Sequence, residues 1–248
     1  MFKSGHTLRI FLFLLISISP VTLRMMRIFL VILLQLTILA LFAQEVPVSK
    51  EPRHHPVFEN KKVRILNVHL PPHDTSLYHL HSTPSVFISL STTKTAAQLK
   101  GEQPTPFGLS TQGNIWFENL SPPHTRIHRV WNEDNSTFHV VDVELFTDDS
   151  PFTNKPLTID HSQLVTDTPW VRVYKIELNK SEKVELPKSG DSFVLIAIND
   201  ATVDIVQDNK RIKDRIREGD HLWINAGEKI MITNKQNEKA AFALLEIK

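Results

Sequence analysis

Short runs of β-branched and aliphatic residues, separated by proline, asparagine, aspartate and serine, recur from about residue 60 to the end of the chain. Val63–Leu70, Leu77–His81, Val86–Leu90, Asn114–Asn119, Ile127–Trp131 and Phe138–Phe146 are such runs in the first half. Each is expected as a strand, because its length and residue types suit a pleated, partly buried surface. Pro71-Pro72-His73-Asp74-Thr75 reads as a turn, and Ser91–Gln112, with Pro104 and Pro106, as a long loop or irregular hairpin. No segment after residue 60 sustains a helical period. Short strands with turns at this spacing predict an all-β sandwich or barrel.

The same pattern occurs twice. Val63-Arg64-Ile65 aligns with Val171-Arg172-Val173, and Ser85–Leu90 falls without a gap on Phe193–Ile198. His128–Leu145 lies over Ile230–Ile247, which puts Asn132 on Asn234 and Glu144 on Glu246. An internal repeat of this size means a tandem duplication of one β unit. The expected layout is a first unit over 57–147, a linker over 148–167 rich in Asp, Thr, Ser and Pro, and a second unit over 168–248.

Residues 1–44 follow a different pattern. Ile10–Ile18 is one apolar run, and Ile28–Ala43 is a longer one preceded by Arg24 and Arg27. A basic start, an apolar centre and Ala43 before Gln44 fit a secretory signal peptide. The tandem runs are explained if translation starts at Met25 or Met26. The competing reading is an uncleaved membrane anchor, since the second run approaches spanning length. The chain is therefore expected to be exported, periplasmic or secreted, with a membrane-anchored form as the alternative. Glu45–Asn60, marked by Pro47, Pro52 and Pro56, reads as a linker and edge segment, with His54 and His55 an exposed loop pair.

Composition removes several classes of function. The net charge is +1, and no basic cluster offers nucleic acid a footprint. The absence of cysteine excludes disulfides, thiolate nucleophiles and cysteine-ligated zinc. Three sequons, at Asn119, Asn135 and Asn179, are read as chance matches.

Twelve histidines remain, and their spacing carries the chemistry. His79 and His81 share one face of a strand, because side chains alternate across it. His128 follows on a later strand, four residues before Asn132. The paired histidines resemble the first motif of the cupin family, G-x5-H-x-H-x3/4-E-x6-G. Pro123, His128 and Asn132 match the proline, histidine and asparagine of its second motif, G-x5-P-x-G-x2-H-x3-N. In the second half Gly219, Gly227 and Asn234 match that second motif, with Ile230 in place of its histidine.

The resemblance implies two tandem cupin-type barrels, each a double-stranded β-helix or jelly roll, and a divalent metal on His79, His81 and His128. Iron, zinc, nickel or copper would suit such a nitrogen set. The family's glutamate falls at Ser85 or Val86, so this set lacks its carboxylate; His73 and Phe117 stand where the family has glycine. Glu118 is the first candidate for a substitute carboxylate. Arg126 is a candidate clamp for an anionic group, with His124 sharing its parity. Tyr78 and Trp116 are candidate pocket walls, and Arg126, Tyr78 and Glu118 are the candidate catalytic residues, with Arg126 or Tyr78 orienting a small anionic or polar substrate. Aligned block by block, Pro187, Ser189 and Ile230 fall at the positions of the three histidines, so the second barrel is expected to be metal-free.

These features imply an exported metalloprotein acting on a small molecule, with dioxygenase- or isomerase-like chemistry. The alternatives are a non-catalytic protein that binds a small ligand such as a sugar, and a scaffold that works through its surface. Pairing of barrels into a homodimer is expected from the resemblance alone.

Overall fold

The computed structural model describes residues 24–32 and 45–248. Residues 24–32 are helical. No described helix is long and apolar enough to cross a membrane. The run Ile10–Ile18, most of the second run and the Ala43-Gln44 cleavage context lie outside the described residues.

Residues 45–248 form one compact unit built of two barrels. The first barrel uses β1 (Val46–Pro47), β2 (His54–Glu59), β3 (Val63–Leu70), β4 (His79–His81), β5 (Ser85–Ser89), β6 (Thr93–Leu99), β7 (Gly108–Ser110), β8 (Ile115–Glu118), β9 (Arg126–Asn132) and β10 (Phe138–Leu145). One sheet runs β1-β4-β9-β6-β7 and the other β2-β3-β10-β5-β8. The second barrel uses β11 (Ser162–Asp167), β12 (Arg172–Leu178), β13 (Lys183–Leu186), β14 (Ser192–Ala197), β15 (Ala201–Gln207), β16 (Lys210–Ile216), β17 (His221–Ile224), β18 (Ile230–Asn234) and β19 (Ala240–Ile247). Its sheets run β11-β12-β19-β14-β17 and β13-β18-β15-β16. All pairings are antiparallel except the short β1–β4 contact.

The continuous apolar runs arise because the central sheets are covered on both faces. On β10, Val141, Val143 and Leu145 pack with Val173, Val194 and Leu245 of the second barrel in one apolar seam. The alternate residues Val140, Asp142 and Glu144 therefore face the first barrel's interior. The two interiors differ sharply. Tyr174, Phe193, Phe242 and Leu244 help fill the second with a large apolar core. In the first, the corresponding cluster is only Val68, Leu70 and Val140, with Phe87, Val130 and Phe138 against it. The remaining room in the first barrel is shared by histidines and a cavity that they line.

The repeat extends to polar detail. Arg64 stands opposite Glu144 and Arg172 opposite Glu246, each pair across adjacent strands inside its own barrel. Asn132 Nδ2 donates to the carbonyls of Leu70 and Ser136, and Asn234 Nδ2 to those of Leu178 and Glu238. Each asparagine oxygen then accepts the backbone N–H two residues on. The motif asparagine is thus a clamp on the turn that follows it, in both copies. Removing it leaves buried carbonyls unpaired, so Asn132→Ala and Asn234→Ala should each cost about 1–3 kcal/mol in urea unfolding. A stability-neutral Asn132→Ala that lost metal affinity would contradict this structural role.

Strand pairing corrects one alignment. His79 pairs with His128, whereas Ile230 pairs with Leu186. Leu186, not Pro187, therefore holds the place of His79, one residue from its ungapped position.

Candidate metal centre

Four histidines converge inside the first barrel from three strands. β4 supplies His79 and His81, whose shared parity turns both rings inward, and β9 supplies His128 directly opposite His79. The fourth is His54 of β2. It was expected as an exposed loop residue, but it is buried, while its neighbour His55 is exposed as expected. The physical reason is local. A 3-10 turn over Val48–Lys50 sets Glu51, whose side chain is fully buried, beneath the start of β2. Glu51 accepts from His54 Nδ1 at 2.7 Å, from the Arg53 N–H at 2.7 Å and from the Leu77 N–H at 3.0 Å. One carboxylate therefore ties the His54 strand to the segment that leads into His79.

Ring nitrogens of His54, His79 and His81 lie within 4.8 Å of one another. The Nε2 atoms of His81 and His128 are 3.2 Å apart, and the His79 and His128 ring centres 4.6 Å apart. His79 Nδ1 is 2.8 Å from the Leu77 carbonyl, which only accepts, so that nitrogen carries the proton. Its Nε2 is then a lone pair, buried and without a partner. The Glu51 carboxylate orients His54 in the same way. Burial and the neighbouring His54 lower His79 to about 4, and burial with His79 beside it lowers His128 to about 2. Burial pushes His81 well below the usual imidazole range too. Neutral rings with inward lone pairs are what a divalent ion requires of its ligands. Burial alone would raise Glu51, but its hydrogen bonds from His54, Leu77 and Arg53 hold it below the usual carboxylate range.

Other expected site residues are placed differently. Glu118 stands opposite Ser85, where the motif glutamate is missing, yet its carboxylate pairs with Arg126 and accepts from Trp116 Nε1 at 3.0 Å. It is not part of the group formed by His54, His79 and His81. Arg126 lines the cavity, but its charge is already matched by Glu118. Tyr78 does not line it; its hydroxyl donates to Gln98 and its ring packs under Arg129. His124 is exposed and away from the cavity. Trp116 does form a wall, stacked on Phe87 at 5.2 Å. His73, in a glycine position of the motif, adopts a left-handed φ of 60°. The cavity between these walls has a volume of about 100 Å³, with Leu70, Val130, Phe138 and Val140 among its apolar lining.

The donor set fits a transition-metal ion. It is all nitrogen, it is buried, and it contains an orphaned lone pair that no protein group satisfies. Nothing in Glu51-Pro52-Arg53-His54-His55-Pro56 has strand periodicity, so the sequence pattern does not mark His54 as buried.

No family model and no curated protein matches the chain. Solved structures do. A salicylate 1,2-dioxygenase from Pseudaminobacter salicylatoxidans superposes with a TM-score of 0.55 at 11% identity, over 81% of this chain and 78% of that one. AerE from Microcystis aeruginosa gives 0.54 at 13% identity, over 80% and 98% respectively. A cupin 2 conserved barrel domain protein from Leptotrichia buccalis gives 0.50 at 9% identity, over 78% and 88%. Likeness at such identities speaks for the fold alone, and that fold is the tandem cupin-type barrel already seen in the strand order.

Proposed function

We propose that this protein is an exported metalloenzyme that holds one divalent ion in its first barrel and acts on a small molecule, with dioxygenase chemistry the first class to test. The observation that carries the proposal is the convergence of His54, His79, His81 and His128 around an unsatisfied buried Nε2. A bound iron, zinc, nickel or copper ion would supply a Lewis acid or a redox-active centre. The chain's own residues orient the ligand nitrogens through Glu51 and the Leu77 carbonyl, and Leu70, Val130, Phe138 and Val140 give the cavity apolar walls. With Arg126 neutralised by Glu118, the ion would be the main positive charge available to a substrate.

The test is oxygen uptake by the Fe(II)-reconstituted protein with salicylate and other small aromatic and aliphatic acids. Turnover that disappears in His81→Ala supports the proposal. Binding of such ligands with no conversion under any of the four metals would overturn catalysis in favour of a small-molecule binding protein. That second reading draws on the missing motif carboxylate at Ser85. Export rests on the apolar runs before Gln44. An extracytoplasmic product beginning near Gln44 in N-terminal sequencing supports it, and a cytoplasmic product retaining the preceding residues contradicts it.

A further inference from the structure

Asp142 is a buried carboxyl side chain for which the proposal above has no use. It lies on β10 between Leu66 of β3 and Phe87 of β5, facing the first barrel's interior at 1% exposure. Neither carboxylate oxygen has a hydrogen-bond partner. A closely placed ring nitrogen is Nδ1 of His81, 3.6 Å away, and that atom is likewise buried and unpartnered. The other nitrogen of the same ring, Nε2, already points at His128.

The second barrel supplies an internal control. Glu144 and Glu246 occupy equivalent places, so the position two residues earlier is Asp142 in one copy and Leu244 in the other. Leu244 is fully buried in the apolar core of its barrel. The scaffold therefore packs well with a hydrocarbon side chain at this site. A buried carboxylate without partners is costly, and it occurs in the copy that carries the histidines.

We propose that Asp142 is a positioning residue for His81: its carboxyl oxygen stands as the acceptor for the Nδ1–H and fixes the tautomer that presents Nε2 inward. This rests on the metal reading above. It completes a pattern in which three ligand rings each have an acceptor behind them: Glu51 for His54, the Leu77 carbonyl for His79 and Asp142 for His81. Such outer partners fix ring orientation and raise ligand basicity.

The experiment uses the full-length protein, with Asp142→Asn and Asp142→Leu as variants. Zn(II) affinity is measured by competition with a chromophoric chelator, and the metal-free proteins are melted in parallel. Nitrogen NMR of the imidazoles reports the His81 tautomer in the zinc-loaded forms. The expected result is a loss of affinity of about 10- to 100-fold in both variants. The metal-free melting temperature should stay unchanged or rise, and the wild-type spectrum should show His81 protonated at Nδ1. Equal affinity in wild type and variants would overturn the role of Asp142 while leaving the metal site standing. Lost affinity matched by a lower metal-free melting temperature in both variants would make Asp142 structural and also overturn it. Absence of zinc binding by the wild type would overturn this inference and the metal reading together.

Discussion

His54→Ala is expected to weaken divalent-metal binding by more than about 100-fold, beyond the range of outer-shell substitutions, whereas His55→Ala leaves it unchanged. The two residues are adjacent in a proline-flanked segment, so the contrast isolates side-chain direction from any effect on chain conformation. His54 is buried with its Nδ1 on Glu51, which leaves Nε2 free to face His79 and His81. Alanine removes that donor and leaves the Glu51 carboxylate without its imidazole partner. His55 is exposed, with its ring centre 6.5 Å from that of His69. Chelator competition on the two variants decides the matter. Wild-type affinity in His54→Ala, with affinity lost in His128→Ala, would restrict the centre to His79, His81 and His128.

The second large effect concerns stability. Phe242→Ala should destabilise the protein by roughly 3–5 kcal/mol, because a fully buried aromatic ring is removed from a core that cannot collapse around the void. For a chain of this size that corresponds to a fall in melting temperature of roughly 6–20 °C. The loss should appear as one transition. Phe242 lies on β19, whose opposite face contributes Ala243 and Leu245 to the seam between barrels. Loosening the second barrel therefore exposes the apolar outer face of the first. Calorimetry checks this. Two separated transitions, with the first barrel melting as in the wild type, would show that the seam does not couple them.

Much of this architecture is legible in the sequence for reasons that can be named. The duplication shows because both copies need the same internal pair, Arg64–Glu144 and Arg172–Glu246, and the same turn clamp, Asn132 and Asn234. His79 and His81 show because two-residue periodicity alone puts them on one face. The same periodicity accounts for Tyr78, next to His79 and turned toward Gln98 and Arg129. His54 is hidden because its burial depends on a hydrogen bond that its Nδ1 donates to Glu51 beside a turn, not on a repeating pattern. Glu118 is close in register but is captured by Arg126, a pairing that requires β8 and β9 of different sheets to meet. Asp142 is hidden for the opposite reason. It sits in Val140-Val141-Asp142-Val143-Glu144-Leu145, and its neighbours are apolar because the second barrel covers their face. The run therefore reads as a buried strand with an acid in it, and its direction becomes clear only once both barrels are in place.

The most direct test of the metal centre is elemental analysis of the protein, purified without a histidine tag, beside a His79→Ala/His81→Ala variant. Two of the converging rings, including the one with the orphaned Nε2, are removed at once. About one divalent ion per wild-type chain and essentially none in the variant is the predicted result. Iron would direct attention to dioxygen chemistry, and zinc or nickel to Lewis-acid chemistry. No metal in the wild type, even after reconstitution with iron, zinc, nickel or copper, would contradict the account.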